Sequence, residues 1–392
     1  MQFLFGITYK ENFLLCECIQ TLRYRQKNIG KVAIFTQFLD VLYLMKVVID
    51  EKIPYLSDAL SQMGHSVLAL PGDAITNEHL ADAEALFVRT RTQCNAALLD
   101  GSAVRFIGTA TIGYDHIDRG YCEQTGIEWT NAPGCNANAV LQYVQSVIYS
   151  WARDNSVAVD TLTLGIVGVG QIGSRVGHWA RSVGMRVLLN DPPREEQGDK
   201  GFSSLADIAR QCDVITFHPT LSKEGRYASY HLADAAFFDS LQHCRLLINA
   251  SRGPVVDNAA LLVALDTGKV GCAAIDVWEG EPHLNLSLLQ RAYIATPHIA
   301  GYSAEGKINA TRQVLEAFAR ISGYEQALPM TELPAPEEPF VKATTESEAL
   351  LKIYDPLEDT AALKESPEKF EWLRNNYNLR REPAAYNIEF GI

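Results

Sequence analysis

Three polar side chains stand directly after apolar runs in the second half of the chain: Arg252 after Leu247-Ile-Asn-Ala-Ser251, Glu281 after Val277-Trp-Glu-Gly280, and His298 after Ala295-Thr-Pro297. Where strands and helices alternate, ligands bind at strand ends. These three residue types suit a hydride transfer between an alcohol carbon and nicotinamide. A histidine takes the hydroxyl proton, a carboxylate orients it and stabilises the imidazolium, and a guanidinium holds an anionic substrate. Taken singly, they more often serve as a loop histidine, a turn acid before Pro282 and a surface charge. A dinucleotide-type turn upstream of all three reverses that balance.

The turn lies within residues 163–191, where an apolar run at 164–167 leads into Gly168-Val-Gly170-Gln171-Ile172-Gly173, a helical pattern, a second apolar run and Asp191. Gly168 permits the tight turn, Gly170 lets a pyrophosphate approach the backbone, and Gly173 lets helix and strand pack closely. The free N–H groups of the following helix face the phosphates. A bare GxGxxG is weak evidence, but strand, helix and second strand follow in the required order. Asp191 falls where an acid binds the adenosine ribose hydroxyls and repels a 2′-phosphate, so NAD is expected over NADP. Arg194, beyond two prolines, is the residue that would favour NADP. Asp276, at a strand end, either meets the nicotinamide carboxamide or caps its own strand. His178 reads as a helix-face residue and His218 as a cofactor neighbour without a chemical role.

These residues need a scaffold. Apolar runs at 47–49, 67–70, 86–88 and 106–108 alternate with helical stretches, and a second series follows at 187–189, 214–217, 246–248 and 273–275. The pattern predicts two doubly wound, Rossmann-like α/β domains of parallel sheet with the ligand cleft between them. The crossing is expected at 131–138, before a long buried helix over 139–151, and a helix over 303–321 returns the chain to the first domain. The expected boundaries are 45–137 with 302–328 for the substrate domain, 138–301 for the cofactor domain, and 329–392 for a linker and a small α+β C-terminal domain. That last segment is short and polar, and is expected to need a partner subunit to bury its surface. Residues 1–44 are expected to be an upstream extension from a misplaced start codon, because regular alternation begins at Met45.

The 392 residues are 47% hydrophobic and 21% charged, an ordinary globular balance. A net charge of -13 argues against broad nucleic-acid or anionic-membrane surfaces, so an anionic substrate needs local cations. The eight cysteines form no metal-ligand spacing and read as reduced thiols of a cytoplasmic protein without a metal.

The motifs GVGQIG, INASRGPVVD, AIDVWEGEP and TPHIAGYS, in order, resemble the D-2-hydroxyacid dehydrogenases from Met45 to about Gly323. That resemblance implies that Arg252 holds the substrate carboxylate and keto oxygen, His298 is the acid/base and Glu281 its partner. The tail, with Trp372-Leu-Arg-Asn-Asn-Tyr377 and Arg380-Arg-Glu382, resembles the C-terminal dimerisation domain of one branch of that family, which oxidises a phosphorylated hydroxy acid. It implies a homodimer, NAD as cofactor, substrate contacts from Thr90, Thr111 and Tyr302, and NAD contacts from Asp191, Asp276 and Gly301. The chain departs from the pattern at Pro219, where a Thr usually follows the histidine, and at Gln142, where a Glu is common. The candidate phosphate cations are Arg89, Arg91 and Lys307, with a further group in the tail, Arg374, Arg380 and Arg381, which are either solvated surface charges or, if the tail dimerises, project toward a neighbouring subunit's cleft. The rival readings are a dehydrogenase of 3-phosphoglycerate or glyoxylate type and an NAD-sensing co-repressor.

Overall fold

The computed structural model describes residues 44–391; the expectation for 1–44 therefore lies, except at Leu44, outside the described residues. Five parallel strands, β1 (Lys46–Asp50), β2 (Ser66–Leu70), β3 (Ala85–Val88), β4 (Phe106–Thr109) and β5 (Glu128–Thr130), form a sheet of order β2-β1-β3-β4-β5. Six more, β6 (Thr163–Val167), β7 (Arg186–Asn190), β8 (Val214–Phe217), β9 (Leu246–Asn249), β10 (Cys272–Ile275) and β11 (Ile294–Ala295), form a second parallel sheet of order β11-β10-β9-β8-β6-β7. Both expected α/β units are present.

The short apolar runs make these sheets because they are buried on both faces, as parallel strands require. Side chains alternate across each strand. Val47 and Ile49 enter one core with Phe87, Phe106 and Phe318, while Val48, Leu86 and Ile107 enter the core on the opposite face. Phe318 stands edge-on to Phe87 with ring centroids 5.3 Å apart. In the second sheet Leu164 and Ile166 face one core, and Val167 and Ile215 face the other.

The long helix expected over 139–151 runs Ala137–Asp154 and buries Tyr143, Val147, Ile148 and Trp151 against the second sheet. The returning helix runs Ala304–Ser322, starts at Ser303, whose hydroxyl accepts from the Gly306 N–H, and sends Val314, Leu315 and Phe318 into the first sheet's core. In each sheet the order reverses beside the first strand, between β1 and β3 and between β6 and β8. Ligand crevices open at such switch points.

The tail forms β12 (Phe340–Ala343), the helices Glu346–Ile353, Pro356–Glu365 and Phe370–Asn375, and β13 (Asn387–Phe390), which pairs parallel with β12. Part of the tail's apolar surface is buried against its own chain. Leu350 and Tyr354 pack into one core of the second sheet, and Leu363 and Phe370 into the other. The Thr360 hydroxyl accepts from the Ala295 N–H at 3.0 Å and so occupies the open edge of β11. Among the described residues of the tail, the large hydrophobic side chains left widely exposed are Phe340, Trp372 and Phe390, at 66%, 61% and 58%.

Candidate active site

Adjacent strands β9, β10 and β11 deliver the three chemical residues. Glu281 and His298 meet: Nδ1 of His298 lies 2.8 Å from Oε2 of Glu281, while Oε1 accepts from the Trp278 N–H at 2.8 Å. A carboxylate only accepts, so Nδ1 carries the proton and Nε2 keeps its lone pair free to accept one. Burial pushes the Glu281 carboxyl up, but the His298 charge and hydrogen bond, the Trp278 N–H and the Arg374 charge outweigh it and hold the group below the ordinary carboxylate value.

His298 sits at φ 59, a left-handed conformation that a non-glycine residue keeps only when its surroundings impose it. Asp276 imposes it. Its carbonyl accepts from the His298 N–H at 2.9 Å, and its Oδ1 accepts from the Ile299 N–H and the Thr296 hydroxyl, each at 2.7 Å. Trp278 Nε1 braces the same turn by donating to the Thr296 carbonyl at 3.0 Å. One oxygen of Asp276 is thus committed to the loop, and burial raises its carboxyl pKa.

Arg252 reaches out from the end of β9. Its Nη1 donates to the Ser251 carbonyl at 2.8 Å, and its Nε lies 4.0 Å from Asp115, which belongs to the first sheet's side. The side chain thus spans the cleft, packed so tightly on Gly113 that a Cβ there would come within 2.5 Å of Nη2. The loops bearing Arg252 and Glu281 are joined through His231, a residue not singled out from sequence. Its Nε2 is 2.6 Å from Glu279, and the other oxygen of Glu279 accepts from the Asn258 N–H at 2.9 Å.

The glycine turn fits a dinucleotide. Gly168 has φ 87 and lies against Pro219 and His218, and a Cβ on Gly173 would fall 2.1 Å from the Gly168 carbonyl oxygen. A Cβ on Gly170 would meet nothing within 4 Å, so this position opens onto free space where the pyrophosphate is expected. Helix Gln171–Ser182 starts there, with Ile172 half-buried behind it. Asp191 turns its carboxylate onto the turn, accepting from the Val169 N–H at 2.8 Å and from the Arg194 N–H at 3.2 Å. Arg194 itself is held by the Val169 carbonyl and Asp199. Burial pushes the His218 imidazole down to about 3, and its buried Nδ1 has no hydrogen-bond partner among the described residues. Gly301 packs on Asn136 at the crossing between the two sheets.

Thr111 donates to the Gly113 carbonyl at 2.8 Å, and Thr90 is exposed just past β3. Tyr302 is the centre of a cationic group. The Arg374 Nε donates to its hydroxyl at 3.2 Å, and Lys307 Nζ lies 3.8 Å from its ring centroid. Arg89 holds Asp50 through two hydrogen bonds of 2.9 and 3.2 Å. Two tail arginines do not project toward a neighbouring subunit, and that expectation is corrected. Arg380 is buried, donating to the carbonyls of Ala139, Ile299, Ala300 and Tyr302 and to Gln142. Arg381 pairs with Glu305 at 2.7 Å. Arg91 pairs with Glu371 on the surface. Gln142, for which sequence suggested no role, also donates to the Arg381 carbonyl, so it receives the tail.

Residues 137–300 match the family model for the NAD-binding domain of D-isomer specific 2-hydroxyacid dehydrogenases. The chain is 52% identical over 345 residues to an erythronate-4-phosphate dehydrogenase of Bacteroides thetaiotaomicron, covering 88% of this chain and 99% of that one. It is 45% identical to the enzyme of that name from Citrobacter koseri, covering 88% and 94%. The chain belongs to the erythronate-4-phosphate dehydrogenase branch of the D-2-hydroxyacid dehydrogenase family. A D-lactate dehydrogenase of Aquifex aeolicus, solved with NAD and lactic acid, superposes with a TM-score of 0.59 at 25% identity, covering 71% of this chain and 96% of that one. A 3-phosphoglycerate dehydrogenase of Entamoeba histolytica superposes with a TM-score of 0.61 at 22% identity, covering 74% and 99%. Family membership makes this an NAD-binding oxidoreductase, and the glycine turn and Asp191 are the parts of the fold that fit the cofactor. Among the described residues no helix is long and apolar enough to cross a membrane.

Proposed function

We propose that the chain oxidises the 2-hydroxyl of 4-phospho-D-erythronate to 2-oxo-3-hydroxy-4-phosphobutanoate, with NAD, in pyridoxal 5′-phosphate biosynthesis. The observation that carries this reading is the His298–Glu281 pair at the cleft, beside a cleft-spanning Arg252, in a chain 52% identical to an enzyme of that name. NAD, when bound, supplies the hydride acceptor. Neutral His298 takes the hydroxyl proton at Nε2, and Glu281 stabilises the imidazolium as it forms. Arg252 holds the C1 carboxylate and polarises the C2 oxygen. Thr90, Thr111 and Tyr302 orient the remaining substrate; Gly168, Gly170, Gln171, Ile172, Gly173, Asp191, Asp276 and Gly301 are assigned to NAD.

Residues 45–137 with 302–328 form the substrate domain, 138–301 the cofactor domain and 329–392 the linker and dimerisation domain. The exposed Phe340 and Phe390 on β12 and β13 support a homodimer through the tail. The free state of all six described cysteines supports a reducing, cytoplasmic setting. The test is the rate of NADH formation on 4-phospho-D-erythronate, 3-phospho-D-glycerate and the corresponding two-carbon hydroxy acid. The highest kcat/KM is expected on the first. Preference for either of the others would give the chain a different hydroxy acid. Tight NAD binding with negligible turnover on all three would point instead to a sensor.

A further inference from the structure

The reaction machinery leaves one charged group of the cleft without a task. Tyr302, at the end of the His298 loop, gathers cations from three separate parts of the chain: Lys307 from the returning helix, Arg374 from the tail, and Arg89 from the end of β3. Burial pushes the Tyr302 hydroxyl up, yet the charges of Lys307, Arg374 and Arg89 bring it below the ordinary phenol value. The Lys307 ammonium has no hydrogen-bond or carboxylate partner among the described residues, and burial together with Arg89 and Arg374 lowers its pKa. Asp50 balances Arg89 and Glu281 lies 3.9 Å from Arg374, so Lys307 is the cation of the three with no carboxylate within ion-pair distance among the described residues, in a chain of net charge -13.

Arg374 also lies 3.9 Å from Oε2 of Glu281, the oxygen that holds His298. We propose that Arg374, brought from the C-terminal tail of the same chain, is the residue that selects the phosphomonoester end of the substrate and links it to the Glu281–His298 pair, with Lys307 and Arg89 completing the anion pocket around Tyr302. This rests on the reading above, in which the substrate carries a phosphate. Arg252 serves the carboxylate end and lies on a different loop, so the two anionic ends of one substrate meet separate cations. The groups facing the pair and the pocket are Asp276, Glu281, Tyr302, Lys307, Arg89, Arg374 and the Cys135 thiol. A phosphate dianion between Lys307 and Arg374 draws the guanidinium's field away from Glu281, which leaves the carboxylate freer to support an imidazolium. Substrate recognition and base strength are thereby coupled.

The experiment compares Arg374→Gln, Arg374→Lys and Lys307→Met with wild type in the full-length enzyme, measuring kcat/KM on 4-phospho-D-erythronate and on unphosphorylated D-erythronate across pH. On the phosphorylated substrate R374Q is expected to lose roughly ten- to a hundredfold, the value of a charge-assisted hydrogen bond, with a much smaller loss on erythronate. R374K recovers part of that loss, and K307M shows the same selective loss. On erythronate, which brings no phosphate, the acid limb of the R374Q profile moves to higher pH, because a cation beside the pair has gone. Equal fold-losses on both substrates with an unmoved acid limb would overturn the proposal and leave Arg374 a packing residue. Should R374Q not fold, selective loss in K307M with partial retention in R374K still supports the pocket, and unselective loss in both overturns it. Wild type that ignores 4-phospho-D-erythronate but oxidises erythronate would refute the substrate assignment itself, an outcome distinct from failure of the pocket.

Discussion

In the proposed mechanism the Glu281–His298 pair acts as the base, with a depressed carboxylate facing an imidazole whose Nε2 has no hydrogen-bond partner among the described residues. His298→Ala is expected to cut kcat by about a hundredfold or more while NAD affinity, measured by titration calorimetry, stays close to wild type. Glu281→Gln keeps a hydrogen-bond acceptor but removes the charge that stabilises the imidazolium. The acid limb of kcat/KM then moves to lower pH, and a limb that stays in place assigns Glu281 some other duty. Glu281's lowered pKa also carries a sign for stability. Its contribution is complete above the free carboxylate value and is lost as pH falls through the folded one.

Two glycines of one turn separate binding from folding at the level of the element. Gly170 opens onto free space, whereas a Cβ on Gly173 would fall 2.1 Å from the Gly168 oxygen. Gly170→Ala is therefore expected to weaken NAD binding with little change in thermal midpoint, because the added methyl meets no protein atom within 4 Å and enters the space assigned to the pyrophosphate. Gly173→Ala forces helix and strand apart and destabilises by about 1–3 kcal/mol; equal midpoints for the two variants would show that the turn packs differently. The loop after His298 depends on a third element. Arg380 pins the carbonyls of Ile299, Ala300 and Tyr302 to the Gln142 side of helix Ala137–Asp154. Arg380→Met strands those acceptors in a buried site and is expected to cost about 3 kcal/mol or more. Activity on phosphorylated and unphosphorylated substrates should fall by the same factor, since the Arg380 guanidinium is taken up by backbone carbonyls and the Gln142 and Tyr377 side chains.

Across the whole molecule, the tail is bound into the catalytic unit it extends, and its buried polar groups set part of the pH response. Asp359, on helix Pro356–Glu365, accepts from the Tyr354 hydroxyl at 3.0 Å, and burial pushes its carboxyl up to about 6. A raised carboxyl pKa contributes stability that is complete below the free carboxylate value and is lost as pH rises through the folded value. Between about pH 4 and pH 6 the wild type should therefore lose roughly 1–3 kcal/mol from this group. Asp359→Asn cannot ionise, so its thermal midpoint should lack that component of the decline. Parallel midpoint-against-pH curves for the two proteins would place Asp359 in water.

What the sequence determined alone was local in origin. The order of strand, glycine turn, helix and acid at 163–191 follows from backbone sterics and period, and so do the buried parallel strands and the placement of Arg252, Glu281 and His298 at strand ends. Tertiary structure decided the assignment of cations. Arg374, Arg380 and Arg381 stand within one short polar stretch and share a residue type, yet Arg374 enters the Tyr302 cleft, Arg380 is buried among carbonyls and Arg381 meets Glu305. The Gln142 partner of Arg380 lies 238 residues away in the chain, and Asp50, partner of Arg89, lies 39 away. Periodicity reaches only a few turns or one strand pair along the chain. The field at a buried charge is set by whichever distant backbone and side-chain groups the fold packs around it.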